Sequence, residues 1–158
     1  MAIYIYSGPI RSGKTTRLQK WSSQQNVAGF LTPDQHSKRV LIELPSGIQH
    51  PFEVTSPGPG IIQVGRFHFL ESAFDKANEI LQAAFSSSSE WIIADEIGKL
   101  EIEQNLGLET QLSSLIHHFH QLDSSKNLLL VIRETLLPQA IEKYHLQSAI
   151  IINDSFFE

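Results

Sequence analysis

The chain has 158 residues, with twelve Lys and Arg against seventeen Asp and Glu and a formal net charge of −5. That length suits one domain that buries roughly 70 % of the surface its unfolded form exposes, and the negative balance disfavours extended binding to nucleic acid or anionic lipid. With no cysteine, disulfides, thiolate zinc sites and a cysteine nucleophile are excluded. The longest apolar runs, such as Leu128 to Ile132, fall far below the roughly 20 residues that span a bilayer. No basic segment leads an apolar stretch at the N-terminus, so a soluble, cytoplasmic protein without a membrane partner is expected.

Ala2 to Ser7 reads as a short strand and Lys14 to Gln25 as a helix, with a glycine loop between them. Val27 to Thr32, Arg39 to Leu44 and Pro51 to Val54 are short β-rich runs separated by Pro, Gly and Asp, which predicts a meander of antiparallel strands. Ile61 to Val64 predicts another strand. Leu70, Ala73, Phe74, Ala77, Ile80, Leu81 and Ala84 recur at helical spacing and predict a helix over Leu70 to Phe85. The serines 86 to 89 are a loop of normal length rather than a linker. Trp91 to Ala94 is a buried strand running into Asp95-Glu96. Leu112, Leu115, Ile116, Phe119 and Leu122 mark the next helix, Leu128 to Ile132 a third apolar strand, Pro138 to Tyr144 a helix, and Ala149 to Ile152 a last strand. Continuous apolar strands alternating with helices predict an α/β domain, its mostly parallel sheet covered on both faces. One domain, 1–158, is expected, with an antiparallel insert at about 27–69.

Gly8-Pro9-Ile10-Arg11-Ser12-Gly13-Lys14-Thr15 fits G-x-x-x-x-G-K-T without a mismatch, between a predicted strand and a predicted helix. By chance the pattern arises in about one chain of this length in several hundred. The glycines let the backbone approach a phosphate chain so that successive N–H groups form an anion nest, and the helix dipole adds to it. Gly8 to Thr16 is therefore the expected nucleotide-binding segment, Lys14 reaching the β- and γ-phosphates and the Thr15 hydroxyl meeting Mg²⁺. ATP, GTP or another nucleoside triphosphate is the expected ligand.

Such a site needs a carboxylate at the end of a second buried strand, and Asp95 supplies it as the partner of Mg²⁺ through water. Glu96 follows directly, where it can take the proton of an attacking water. The alternative is that both carboxylates cap the loop Ile97-Gly98-Lys99. Arg133, just after a strand, is expected at the same sheet edge and, with Lys99, is a candidate for balancing transition-state charge; Arg11, Arg39 and Arg66 are further options. His117-His118-Phe119-His120 resembles a metal tract but reads better as the polar side of an amphipathic helix. Trp21 and Trp91 are expected in the core.

Asp95-Glu96-Ile97-Gly98-Lys99-Leu100-Glu101, with Gly8-Pro9 through Thr16, Gly29-Phe30-Leu31-Thr32 followed by Arg39, and Val64-Gly65-Arg66-Phe67 before the long helix, resembles the small P-loop nucleoside-triphosphatase family of the thermophile and cancer-related type. The pieces occur in the family's order over most of the chain. The resemblance implies a three-layer, RecA-like core with added antiparallel strands and slow Mg²⁺-dependent hydrolysis of several triphosphates, with Glu96 as base and Asp95 at the metal. Arg133-Glu134-Thr135 departs from the His and basic residues frequent in the family at that edge, and Arg11 from the small residues frequent in the loop. A nucleoside or nucleotide kinase and a nucleotide-dependent interaction module are the competing functions. No Asn-Lys-x-Asp occurs, which disfavours a guanine-specific switch.

Overall fold

A computed structural model describes residues 2–9, 13–121 and 125–158. The principal sheet runs in the order β11-β1-β10-β9-β2-β4-β3. Its first five members are β11 (Ile150–Ile152), β1 (Ala2–Gly8), β10 (Asn127–Arg133), β9 (Trp91–Ile97) and β2 (Val27–Leu31), and all pair in parallel. β4 (Lys38–Leu44) joins β2 antiparallel and carries β3 (Asp34–Gln35) and β5 (Gln49–Pro51). A second, antiparallel sheet holds β6 (Glu53–Val54), β8 (Phe67–Leu70) and β7 (Ile61–Val64).

The apolar runs become central strands because they are buried on both faces. Along β10, Leu128, Leu130 and Ile132 enter one core cluster and Leu129 and Val131 the other, as the two-residue period of a strand requires. The first cluster also takes the apolar faces of α2 (Glu71–Phe85), α4 (Glu109–Gln121) and α5 (Leu137–Tyr144). The second takes Leu18 of α1 (Lys14–Ser22), with Trp21 and Phe157 packed against it. Helices on both faces make three layers. The buried set of α2, Ala73, Phe74, Ala77, Ile80, Leu81 and Ala84, is the stripe its spacing predicts.

Three local expectations need correction. The expected meander and insert begin too early: β2 is a parallel member of the principal sheet, and the antiparallel additions start after it. Val27 to Leu31 is buried throughout, which is the mark of a central strand rather than of a half-exposed hairpin. α1 stops at Ser22, not Gln25. Lys99–Gln104 forms a short helix, α3, that was not expected; six residues are too few for a periodic stripe to show. Leu122, expected in α4, lies outside the described residues.

Gly29 fixes how closely β2 meets β9. Its φ is 107°, and a Cβ there would stand 2.0 Å from the carbonyl oxygen of Ile93, an atom of the neighbouring backbone that cannot step aside.

Candidate functional site

The carboxyl ends of β1, β10, β9 and β2 assemble the site. Parallel pairing sets Gly8 opposite Arg133, so the last residue of β1 and the last of β10 share one edge. β10 lies between β1 and β9, and Ile132 pairs with Ile97 just beyond Asp95-Glu96. The glycine loop, Arg133 and the two carboxylates are thereby brought together, as their strand-end positions predicted. Ile10, Arg11 and Ser12 lie outside the described residues.

Gly13, at φ 82°, is the N-cap of α1. This left-handed turn is open to glycine at little cost, and it starts the helix at Lys14. The Lys14 ammonium donates to the carbonyls of Gly8 at 3.1 Å and Pro9 at 2.6 Å. Burial pushes its pKa down, while Asp95 and Glu134 push the other way. Thr16 is exposed on the first turn.

Asp95 is 2 % exposed. Its Oδ2 accepts from the Thr15 hydroxyl at 3.1 Å and from the backbone N–H of Thr32 at 3.0 Å. Burial drives its pKa up; these two hydrogen bonds and the Arg39 charge oppose the rise. A buried carboxylate held 3.1 Å from a threonine hydroxyl is an all-oxygen donor pair, which suits a hard cation such as Mg²⁺.

Glu96 has φ 63°, a left-handed conformation within a strand that a non-glycine residue adopts only at a cost of about 1–3 kcal/mol. The turn swings its side chain off the strand's alternation. Its Oε2 accepts from the Thr32 hydroxyl at 3.3 Å and pairs with the Arg39 guanidinium. Burial lowers the Arg39 pKa, and Asp34, Asp95 and Glu53 counter it. Neither carboxylate caps the loop after β9. Glu101 does that: Oε1 accepts from Gly98 N–H at 3.0 Å and Oε2 from Leu108 N–H at 3.1 Å.

Thr32 and the Arg39 to Glu96 pair are the parts of the site that spacing along the chain does not assign. The available signal for Thr32 was a polar residue ending an apolar strand, as Asp95 ends its own. For Arg39 the partner is 57 positions away and is met only because β2 lies between β4 and β9 in the sheet. Lys99, exposed, Arg66 and Arg133 line a cavity with Glu96. His117 and His118 are exposed, His118 stacking on Phe85 with ring centroids 5.2 Å apart. Among the described residues no group of three potential metal ligands forms. Trp21 and Trp91 meet edge to face at 5.0 Å, and Trp91 opens β9, at the sheet edge opposite the site.

Strand, glycine loop and helix at one sheet edge, facing a buried acidic strand end across an intervening strand, define a P-loop nucleoside-triphosphatase fold. The NTPase family model matches residues 3–152, and the chain belongs to that family. It is thus a nucleotide-binding protein of the nucleoside-triphosphatase kind. Its fold is similar to the solution structure of a human cancer-related nucleoside triphosphatase, with a TM-score of 0.68 and 20 % identity over 99 % of this chain and 94 % of that one. It is also similar to the crystal structure of THEP1 from the hyperthermophile Aquifex aeolicus, with a TM-score of 0.71 and 24 % identity over 97 % of this chain and 89 % of that one. No curated protein matches the chain in sequence.

Proposed function

We propose that the chain hydrolyses nucleoside triphosphates to the diphosphate and inorganic phosphate, with Mg²⁺ as cofactor and broad tolerance of the base. The observation that carries this reading is the adjacency of Asp95, held at the Thr15 hydroxyl, and Glu96, turned out of its strand by a left-handed backbone beside it. Segment Gly8 to Thr16 holds the phosphate chain, Lys14 exchanging loop carbonyls for β- and γ-phosphate oxygens. Thr15 and Asp95 would hold Mg²⁺, which would supply neutralisation of the phosphate charge. Glu96, oriented by Thr32 and Arg39, takes the proton from the attacking water. Arg133 and Lys99 offset charge that moves onto the leaving diphosphate. Broad base tolerance fits a site whose named contacts all address phosphates. A cytoplasmic setting agrees with a chain that has no cysteine, and no helix among the described residues is long and apolar enough to cross a membrane.

Phosphate release from ATP, GTP, CTP and UTP, with and without Mg²⁺, tests this. Release from all four that stops on chelation is expected; unchanged release in chelator removes Mg²⁺ from the reading, and no release from any of them removes hydrolysis.

A further inference from the structure

Glu96 lines one end of a cavity of about 200 Å³ whose walls include Phe52, Phe67, Phe69 and Phe74. The cavity lies between the second sheet, α2 and the turn after β9. Its aromatic packing is tight, with Phe52 centred 4.7 Å from Phe69 and 5.1 Å from Phe74. Arg66 and Lys99, both exposed, also line it, the Arg66 guanidinium lying 5.0 Å over the Phe67 ring. A base that serves only water needs a small polar niche. Aromatic walls instead hold water poorly and hold flat rings well. The volume is below the roughly 300–1,000 Å³ of drug-sized pockets, which suits one or two rings.

The nucleotide's own base is a poor occupant. Lys14 addresses the β- and γ-phosphates, and the base lies at the other end of the triphosphate chain. The cavity is lined by Asp95, Glu96 and Arg133, to which the hydrolysis reading gives the metal, the attacking water and the leaving diphosphate, so it opens where the γ-phosphate reacts.

We propose that this cavity is an acceptor site for a small planar aromatic alcohol, whose hydroxyl is placed at Glu96 in line with the γ-phosphate. The inference rests on the nucleoside-triphosphate reading of the loop. The alcohol oxygen forms a bond to the γ-phosphorus, the bond from that phosphorus to the β–γ bridging oxygen breaks, and its electron pair leaves with the nucleoside diphosphate. Glu96 takes the hydroxyl proton. Water entering the same place gives hydrolysis.

Pyridoxine and 2-naphthalenemethanol are the probes, one ring and two, titrated into the protein saturated with Mg²⁺ and a nonhydrolysable ATP analogue. Saturable binding at about 1 mM or tighter is expected, weakened at least about tenfold by Phe67→Ala. Phe67 is 37 % exposed, so its truncation spares the buried packing, and the variant's affinity for the analogue checks its fold. With ATP, mass spectrometry is expected to find the phosphorylated alcohol, with inorganic phosphate reduced to match. Failure of both alcohols to bind, binding that Phe67→Ala leaves intact, mutual exclusion with the ATP analogue, or release of inorganic phosphate alone from the ternary complex each overturns the acceptor site. None of these touches the hydrolysis reading, which fails separately if no inorganic phosphate is released from any triphosphate when no alcohol is present.

Discussion

Glu96 leaves the regular alternation of β9 at a left-handed residue, next to the buried carboxylate of Asp95. The left-handed turn, the Thr32 hydroxyl and Arg39 together hold the group at the edge. Glu96→Gln keeps that shape but cannot accept a proton, so turnover is expected to fall by roughly 10²- to 10⁴-fold while triphosphate affinity, read by calorimetry, stays near wild type. Near-normal phosphate release by the variant would remove the base assignment. Lys14→Ala makes the opposite trade: the loss expected is in triphosphate affinity itself, and calorimetry showing unchanged binding would refute the phosphate cradle. Asp95, Glu96 and Lys14 were legible in the sequence because each sits at a fixed offset from a strand end. The Arg39 to Glu96 pair was not, because it depends on β4 and β9 flanking β2 in the sheet rather than on spacing along the chain.

At the scale of elements, α2 could be placed from helical spacing, and β1, β9, β10 and α5 from short apolar runs and the Gly, Pro and polar residues that bound them. β2 was legible as a strand but not in its partner, because five buried residues say nothing about strand direction. Gly29 holds the answer: its close approach to Ile93 is the parallel β2–β9 contact. Gly29→Ala is expected to cost about 3 kcal/mol or more, measured by urea unfolding, since both the positive φ and the backbone clash oppose a side chain. A cost under about 1 kcal/mol would mean the two strands separate more readily than this packing allows. The turn after β9 offers a pH-dependent test. Burial lifts the Glu101 pKa from 4.5 to about 7 despite its two N–H donors. The folded state therefore keeps a proton that the unfolded chain gives up, so this group's contribution to stability is complete below pH about 4.5 and is lost as pH rises toward about 7. Glu101→Gln, with one carbonyl for two N–H groups, is expected to be less stable in acid and to lack that part of the decline. Identical slopes of melting temperature against pH in the two proteins would show that Glu101 does not titrate in that window.

Across the whole molecule, the edge proposed to bind the phosphates gathers residues from α1 and from the ends of β1, β9, β2 and β10, four of the eight strands of the principal sheet. Ligation there reports on global stability, since anything that binds the folded state alone raises it by mass action. At about 100 times its dissociation constant a ligand adds about 2.7 kcal/mol, and for a chain of this size roughly 2–4 °C accompany each kcal/mol. ATP with Mg²⁺ is therefore expected to raise the melting temperature by about 5–10 °C, and ATP in chelator by much less if Thr15 and Asp95 hold the ion between them. Asp95→Asn separates the metal from the phosphates. The amide oxygen keeps the acceptor that Thr15 and Thr32 need but carries no charge for Mg²⁺ and ends the penalty of burying an ionised carboxylate. Without ligand that variant is expected to melt at or above wild type, and with ATP the added increment from Mg²⁺ is expected to vanish. A variant that kept the full increment would place the ion elsewhere; one that melted well below wild type without ligand would make Asp95 a structural residue before a metal-binding one.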